Sequence, residues 1–122
     1  MLKFNLDSLK WEKLKYDNNS SFTGSLRYLG AASSPDGKIL LCGGSLISTG
    51  DATNTVYESS YAKPYKTVKK RNMSARRYAH GCVFLNGYIY AMGGFDNKNA
   101  DGVAPNTLDS CDRYSFHENK WY

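Results

Sequence analysis

Two segments of the chain recur in one register. Arg27-Tyr28-Leu29-Gly30-Ala31 returns as Arg77-Tyr78-Ala79-His80-Gly81, and Lys38-Ile39-Leu40-Leu41-Cys42-Gly43-Gly44 returns as Tyr88-Ile89-Tyr90-Ala91-Met92-Gly93-Gly94, both at an offset of 50. Gly37 and Gly87 repeat at the same offset, each placed to close a turn between two short apolar runs. Beyond the double glycine the copies diverge. Asn54-Thr55-Val56 answers Asn106-Thr107-Leu108 at an offset of 52, which assigns two extra loop residues to the second copy. One such unit cannot bury both of its faces, so the repeat restricts the chain to an architecture in which units pack side by side.

Within the units the reading is β throughout. Leu26 to Ser33, Lys38 to Cys42, Thr55 to Tyr61, Tyr78 to Leu85, Tyr88 to Met92 and Leu108 to Phe116 are rich in β-branched, aromatic and small apolar residues and end at Gly, Pro, Asn or Asp. No window carries a helical period with a cap and a stop. The 122 residues, 41% hydrophobic and 22% charged, fit one soluble globular domain. No apolar run approaches the length of a membrane-spanning helix. Lys3 and Asp7 interrupt the apolar stretch that a signal peptide requires, so a cytoplasmic or nuclear location is expected. Cys42, Cys82 and Cys111 are odd in number and far apart in sequence; reduced, mostly buried thiols are expected, with no metal site and no cofactor.

Arg77-Tyr78-Ala79-His80-Gly81, Gly87-Tyr88-Ile89-Tyr90, Gly93-Gly94, the run from Leu108 to Tyr114, and Trp121 together resemble one nearly complete kelch repeat. The resemblance implies four-stranded antiparallel propeller blades: the first strand innermost, the double glycine closing the second, a tyrosine on the third and a tryptophan on the fourth. The first copy departs from the pattern, with Gly30-Ala31 where His-Gly is usual and Thr67 or Val68 in the place of the tryptophan. Phe4 and Trp11 lie seven apart, as do Tyr114 and Trp121, so residues 1–14 resemble the outer two strands of another blade. The expected organisation is an all-β, incomplete propeller: outer strands over 1–14, a first full blade over 26–69 and a second blade over 77–122. Its open flanks predict self-association.

Catalysis finds little support in the residues. His80 matches the repeat's structural histidine, and His117 falls in the loop before Trp121, without the partners of a triad or a metal site. Neither double glycine is followed by the Lys-Ser/Thr of a phosphate loop; their expected role is to let the backbone approach the outer-strand tryptophan. The tyrosines, Tyr88, Tyr90 and Tyr114 among them, are expected to pack between blades rather than to stack on nucleic-acid bases.

Charge is uneven. Residues 1–61 carry six basic and six acidic residues, whereas residues 62–122 carry ten and five. Lys63, Lys66, Lys69, Lys70, Arg71, Arg76 and Arg77 form a block without one acid. In a kelch propeller, the loops joining the fourth strand to the next first strand share a face with the loops joining the second strand to the third. The resemblance therefore places the basic block beside Phe95, Asp96 and Lys98, with Arg27 at the equivalent place one blade earlier. These residues, Arg27, Lys69, Lys70, Arg71, Arg76, Arg77, Phe95, Asp96 and Lys98, are the expected partner-binding set. The expected activity is non-enzymatic docking of a protein partner, an acidic peptide segment in preference to nucleic acid. The alternative is the propeller of an enzyme, such as a kelch-containing phosphatase or a propeller oxidase, whose catalytic residues lie elsewhere.

Overall fold

The computed structural model describes residues 2–14, 25–62, 65–98, 102 and 104–122. These residues form fourteen strands in order: β1 (Leu2–Asn5), β2 (Lys10–Lys13), β3 (Leu26–Arg27), β4 (Gly30–Ser33), β5 (Lys38–Cys42), β6 (Ser45–Leu46), β7 (Val56–Ser60), β8 (Thr67–Lys69), β9 (Gly81–Leu85), β10 (Tyr88–Met92), β11 (Phe95–Lys98), β12 (Pro105–Thr107), β13 (Cys111–Ser115) and β14 (Lys120–Trp121). Among the described residues there is no helix, and none therefore long and apolar enough to cross a membrane.

Two four-stranded antiparallel sheets have the blade order: β4-β5-β7-β8 and, read inward to outward, β9-β10-β13-β14. β1 and β2 pair Phe4 with Trp11, as β13 and β14 pair Tyr114 with Trp121, so the N-terminal hairpin has the register of a blade's outer edge. The alternation of β10 explains why this run is a strand at the centre of its sheet. Ile89 and Ala91 are fully buried, while Tyr88 and Tyr90 on the other face are half-buried. Asn86 and Gly87, at φ 49° and 83°, form the two-residue turn that joins β9 to β10.

The register of the repeat differs from its sequence reading in two places. Gly30 faces Cys42 across the inner hairpin, and Gly81 faces Met92, so the innermost strands correspond at an offset of 51 (81 − 30) while the second strands correspond at 50 (92 − 42). Arg27 is therefore equivalent to Tyr78, Leu29 to His80 and Gly30 to Gly81. The left-handed residue preceding each inner strand obeys the same shift: Tyr28 at φ 56° and Ala79 at φ 52°. The extra residue of the first copy lies in the Ser34–Lys38 turn, where Ser34 Oγ bonds the Asp36 carboxylate. On the third strand, Val56 faces Cys42 and Cys111 faces Met92, an offset of 55 (111 − 56) rather than 52. The second copy thus has five more residues in its loop, not two.

The core runs between the blades. Leu40, Cys42 and Val56 of one sheet join Ile89, Ala91 and Tyr114 of the next, with Met73 from the connecting segment. That segment is stitched to the first blade by backbone hydrogen bonds: Lys70 N to Val56 O, Met73 N to Asn54 O, and Gly44 N to Arg77 O at 2.8 Å. The double glycines serve this seam, not the outer-strand tryptophan. A Cβ on Gly43 would stand 2.3 Å from Arg77 O, and one on Gly94 would stand 2.6 Å from Tyr78 O. Among the described residues two apolar flanks are exposed: Val83, Leu85 and Met92 on the second blade, and Leu2, Phe4 and Trp11 on the N-terminal hairpin.

Candidate functional site: a cleft on the loop face

Short pairings of β3 with β6, of β11 with β12, and of Tyr78 with Phe95 lift the loops after each double glycine toward one face. Between them opens a cleft of about 700 Å³, lined by Arg27, Tyr28, Asp51, Tyr78, Asn97 and Pro105 together with Ser45, Thr49 and Gly50. The first blade's loop is held by Ser45 Oγ donating to Gly50 O at 2.9 Å and by Asp51 N donating to Thr49 Oγ1. Asn97 Oδ1 accepts the Ala52 amide at 2.6 Å, which ties the loops of the two blades together. These bonds hold Asp51, Ala52 and Asn97 together at the floor of the cleft.

Three aromatic rings form a ladder at its edge: Tyr28 on Tyr78 at 6.3 Å and Tyr78 on Phe95 at 5.8 Å between centroids. Tyr28 is 60% exposed. The Arg27 guanidinium lies 5.5 Å from the Tyr28 ring centroid, is exposed, and has no salt bridge among the described residues. An exposed cation and a stacked ring thus meet at the mouth.

The cations of the basic block are arranged quite differently. Arg77, expected on the binding rim, is fully buried. Its guanidinium donates to Gly93 O (2.8 Å), Ser110 O (3.2 Å), Ser110 Oγ (3.1 Å) and the Asp112 carboxylate (3.0 Å), and so braces the second blade against the connecting segment. Arg77 is therefore corrected from a surface contact to an internal strut. Lys70 pairs with Glu58 at 3.2 Å and Arg76 with Asp96 at 3.3 Å, so acids from elsewhere in the chain balance much of a block that contains none. Arg71 is exposed, while its backbone serves the fold: Arg71 N donates to Asn119 Oδ1, and Arg71 O accepts from Trp121 Nε1 at 2.9 Å. Lys69 is exposed at the end of β8, and Lys98 ends β11. Phe95 is in the aromatic ladder.

Of the expected residues, Arg27 thus lines the cleft and Phe95 packs on Tyr78 at its edge. Tyr28, Tyr78, Asp51 and Asn97 were missed. The tyrosines stand in the repeated Arg-Tyr pair, which was the available signal; Asp51 and Asn97 sit in the divergent loops and gave none.

Beneath the cleft, His80 is buried and held neutral, its pKa pushed down to about 4 by burial and by the nearby Arg77 charge. At the outer edge Tyr114 packs on Trp121 (5.2 Å) and Phe116 (5.3 Å) and donates its hydroxyl to Asn119 Oδ1 at 2.8 Å. Burial, and then the Glu58 charge, push the Tyr114 phenol up to about 12. In the first blade the equivalent pair is Ser59 and Thr67, joined by a buried hydroxyl hydrogen bond of 3.3 Å. No cluster of three metal-ligating side chains occurs among the described residues.

The blade topology has its counterpart in sequence comparison, where residues 76–122 match the family model of the Kelch motif. That stretch, a kelch motif by this match, comprises the second blade, β9 to β14. It is similar to the solved structure of YjhT, a kelch-type propeller, with a TM-score of 0.62 and 18% identity over 80% of this chain. It spans 26% of that chain's length. At this identity the likeness establishes the fold alone, that of a propeller. No curated protein matches the chain significantly. Kelch propellers are commonly protein-interaction modules and are generally non-catalytic. In kelch terms the cleft lies where the loops between second and third strands meet the entries to the first strands.

Proposed function

We propose that this chain is a non-enzymatic interaction module that docks an acidic peptide segment in the loop-face cleft. The observation that carries the reading is Arg27: exposed, stacked on Tyr28, and placed at the mouth of a cleft whose floor is fixed by inter-loop hydrogen bonds. A guanidinium in that position offers a fork to a carboxylate, and the Tyr28 and Tyr78 rings offer flat surface for the peptide's apolar atoms. The exposed Arg71 adds long-range attraction, whereas Arg77, Arg76 and Lys70 are paired with acids of the chain.

The test uses a fluorescein-labelled hexaglutamate peptide and anisotropy titration at two salt concentrations. Arg27→Glu should weaken binding by about tenfold or more, on the order of 1.4 kcal/mol or above, with an unchanged melting temperature. Arg71→Glu should change the salt dependence with only a small loss of affinity. Unchanged binding in Arg27→Glu would remove the cleft from consideration. The same reading has the 122-residue chain self-associate through its uncovered flanks; a monodisperse monomer by light scattering at tens of micromolar would contradict that part.

A further inference from the structure

Cys42 and Cys82, forty residues apart in sequence, meet between the two blades with their sulfurs 3.6 Å apart. Cys42 ends β5 and is buried, whereas Cys82 lies on β9 of the next blade and is partly exposed. His80 Nε2 stands 3.4 Å from the Cys42 sulfur. Gly30 creates this arrangement: it faces Cys42 across the hairpin, and a Cβ there would stand 2.3 Å from His80 Nε2. With a side chain at position 30 the imidazole could not lie where it does. His80 Nδ1 has no hydrogen-bond partner among the described residues, so the contact to Cys42 is the one polar engagement seen for this ring.

We infer that Cys42 and Cys82 are an oxidisable pair that closes an inter-blade disulfide when the protein meets a hydroperoxide. Closing from 3.6 Å to a bonded length of about 2 Å asks for movement of about 1.5 Å shared by two side chains, within reach of rotation about their Cα–Cβ bonds. The partly exposed Cys82 is the attacking thiol. The contact with Cys42 pulls the Cys82 thiol below the usual range against the opposing effect of burial, while the same contact and burial push Cys42 up, so of the two Cys82 is the readier to ionise. In the first step Cys82 releases its proton to water and its thiolate attacks the peroxide O–O bond; a sulfur–oxygen bond forms, the O–O bond breaks, and the leaving oxygen takes up that proton through water. In the second the Cys42 sulfur attacks the Cys82 sulfenic acid, the S–S bond forms, and the hydroxyl departs as water with the Cys42 proton. The net reaction converts two thiols and one hydroperoxide into one disulfide, one alcohol (water, for hydrogen peroxide) and one water. His80 Nε2 beside Cys42 is the positioning group for that second step. A thiol reductant reverses the product.

The test treats the whole 122-residue protein with hydrogen peroxide, alkylates it with N-ethylmaleimide in denaturant, and maps peptides without reduction. The expected result is a Cys42–Cys82 linked peptide with maleimide on Cys111 alone, and maleimide on all three cysteines after dithiothreitol. Cys111→Ser, at an exposed position, should leave the link intact. In Cys42→Ser the sulfenic acid should persist on Cys82 and be trapped by dimedone. Maleimide on both Cys42 and Cys82 after peroxide would overturn the inference. So would irreversible oxidation of Cys82 beside an alkylated Cys42, or a Cys111 disulfide between chains in place of the internal one.

Discussion

The two complete blades share a strand order and a double glycine but close their edges with different chemistry. The outer pair of the second blade is Tyr114 and Trp121, large rings that fill space and reach Asn119 and the Arg71 carbonyl. The outer pair of the first is Ser59 and Thr67, two hydroxyls that satisfy one another and fill little. At the inner entry the contrast concerns charge. Arg77 precedes the second blade's first strand and is consumed by four hydrogen bonds, while its equivalent in the first blade is Leu26, and the conspicuous Arg27 one residue on is left to solvent. Identical residues at a fixed sequence offset therefore do not hold identical places. The second blade uses its arginine to fold; the first leaves one exposed beside the cleft, where the proposed docking would use it.

Arg77→Ala is the strongest way to break that comparison. It removes the counter-charge of the buried Asp112, which keeps only the Ser74 hydroxyl as a partner, and the donor to Gly93 O, and should cost about 3–5 kcal/mol in urea unfolding, against less than about 0.5 kcal/mol for Arg27→Ala. Equal effects at the two arginines would erase the distinction. Next is Tyr114→Ala, which should cost about 3–4 kcal/mol, whereas Ser59→Ala at the equivalent place in the first blade should cost about 1 kcal/mol.

His80, for which the first blade has Leu29, should give the second blade a pH signature. The native ring resists protonation down to about pH 4, while the unfolded ring takes up its proton near 6.5. The unfolded state therefore binds more protons in this window, and stability is lost as pH falls from 6.5 toward 4, by roughly 3 kcal/mol in all. Chemical denaturation across that range should show the loss in the parent protein and a flatter profile in His80→Leu.

The smallest contrast lies at the double glycines. Gly43 and Gly93 share φ 62°, so alanine is strained at both; only at Gly43 would the new Cβ also meet the next blade's backbone, at 2.3 Å, against 3.5 Å for the nearest backbone atom at Gly93. Thermal unfolding should place Gly43→Ala below Gly93→Ala by about 1–2 kcal/mol.

Much of the fold was legible because strands carry their pattern locally. The Ile89 and Ala91 alternation, the Phe4 and Trp11 spacing and the glycine pairs each fixed a strand or a turn from a few neighbouring residues. The one-residue slip of the inner strands was not legible. The shared Arg-Tyr pair outweighed a single extra turn residue between Ser34 and Lys38, although pairing depends on the turn length and not on residue identity. The site was read less well for a related reason. A seven-cation block without a local acid looked unbalanced, yet Glu58, Asp96 and Asp112 reach it from 12, 20 and 35 residues away, distances that only the blade topology closes. Asn97 and Asp51 act through inter-loop geometry, which no local pattern encodes.

The equivalence of the two blades, and with it the separate fates of Arg27 and Arg77, rests on the register of the inner hairpins. Cross-strand nuclear Overhauser effects on isotope-labelled protein measure that register directly. The structure predicts contacts between Gly30 and Cys42 and between Gly81 and Met92. Contacts from Ala31, in place of Gly30, to Cys42 would restore the unshifted repeat, make Arg27 the counterpart of Arg77, and contradict the assignment of one arginine to binding and the other to the fold.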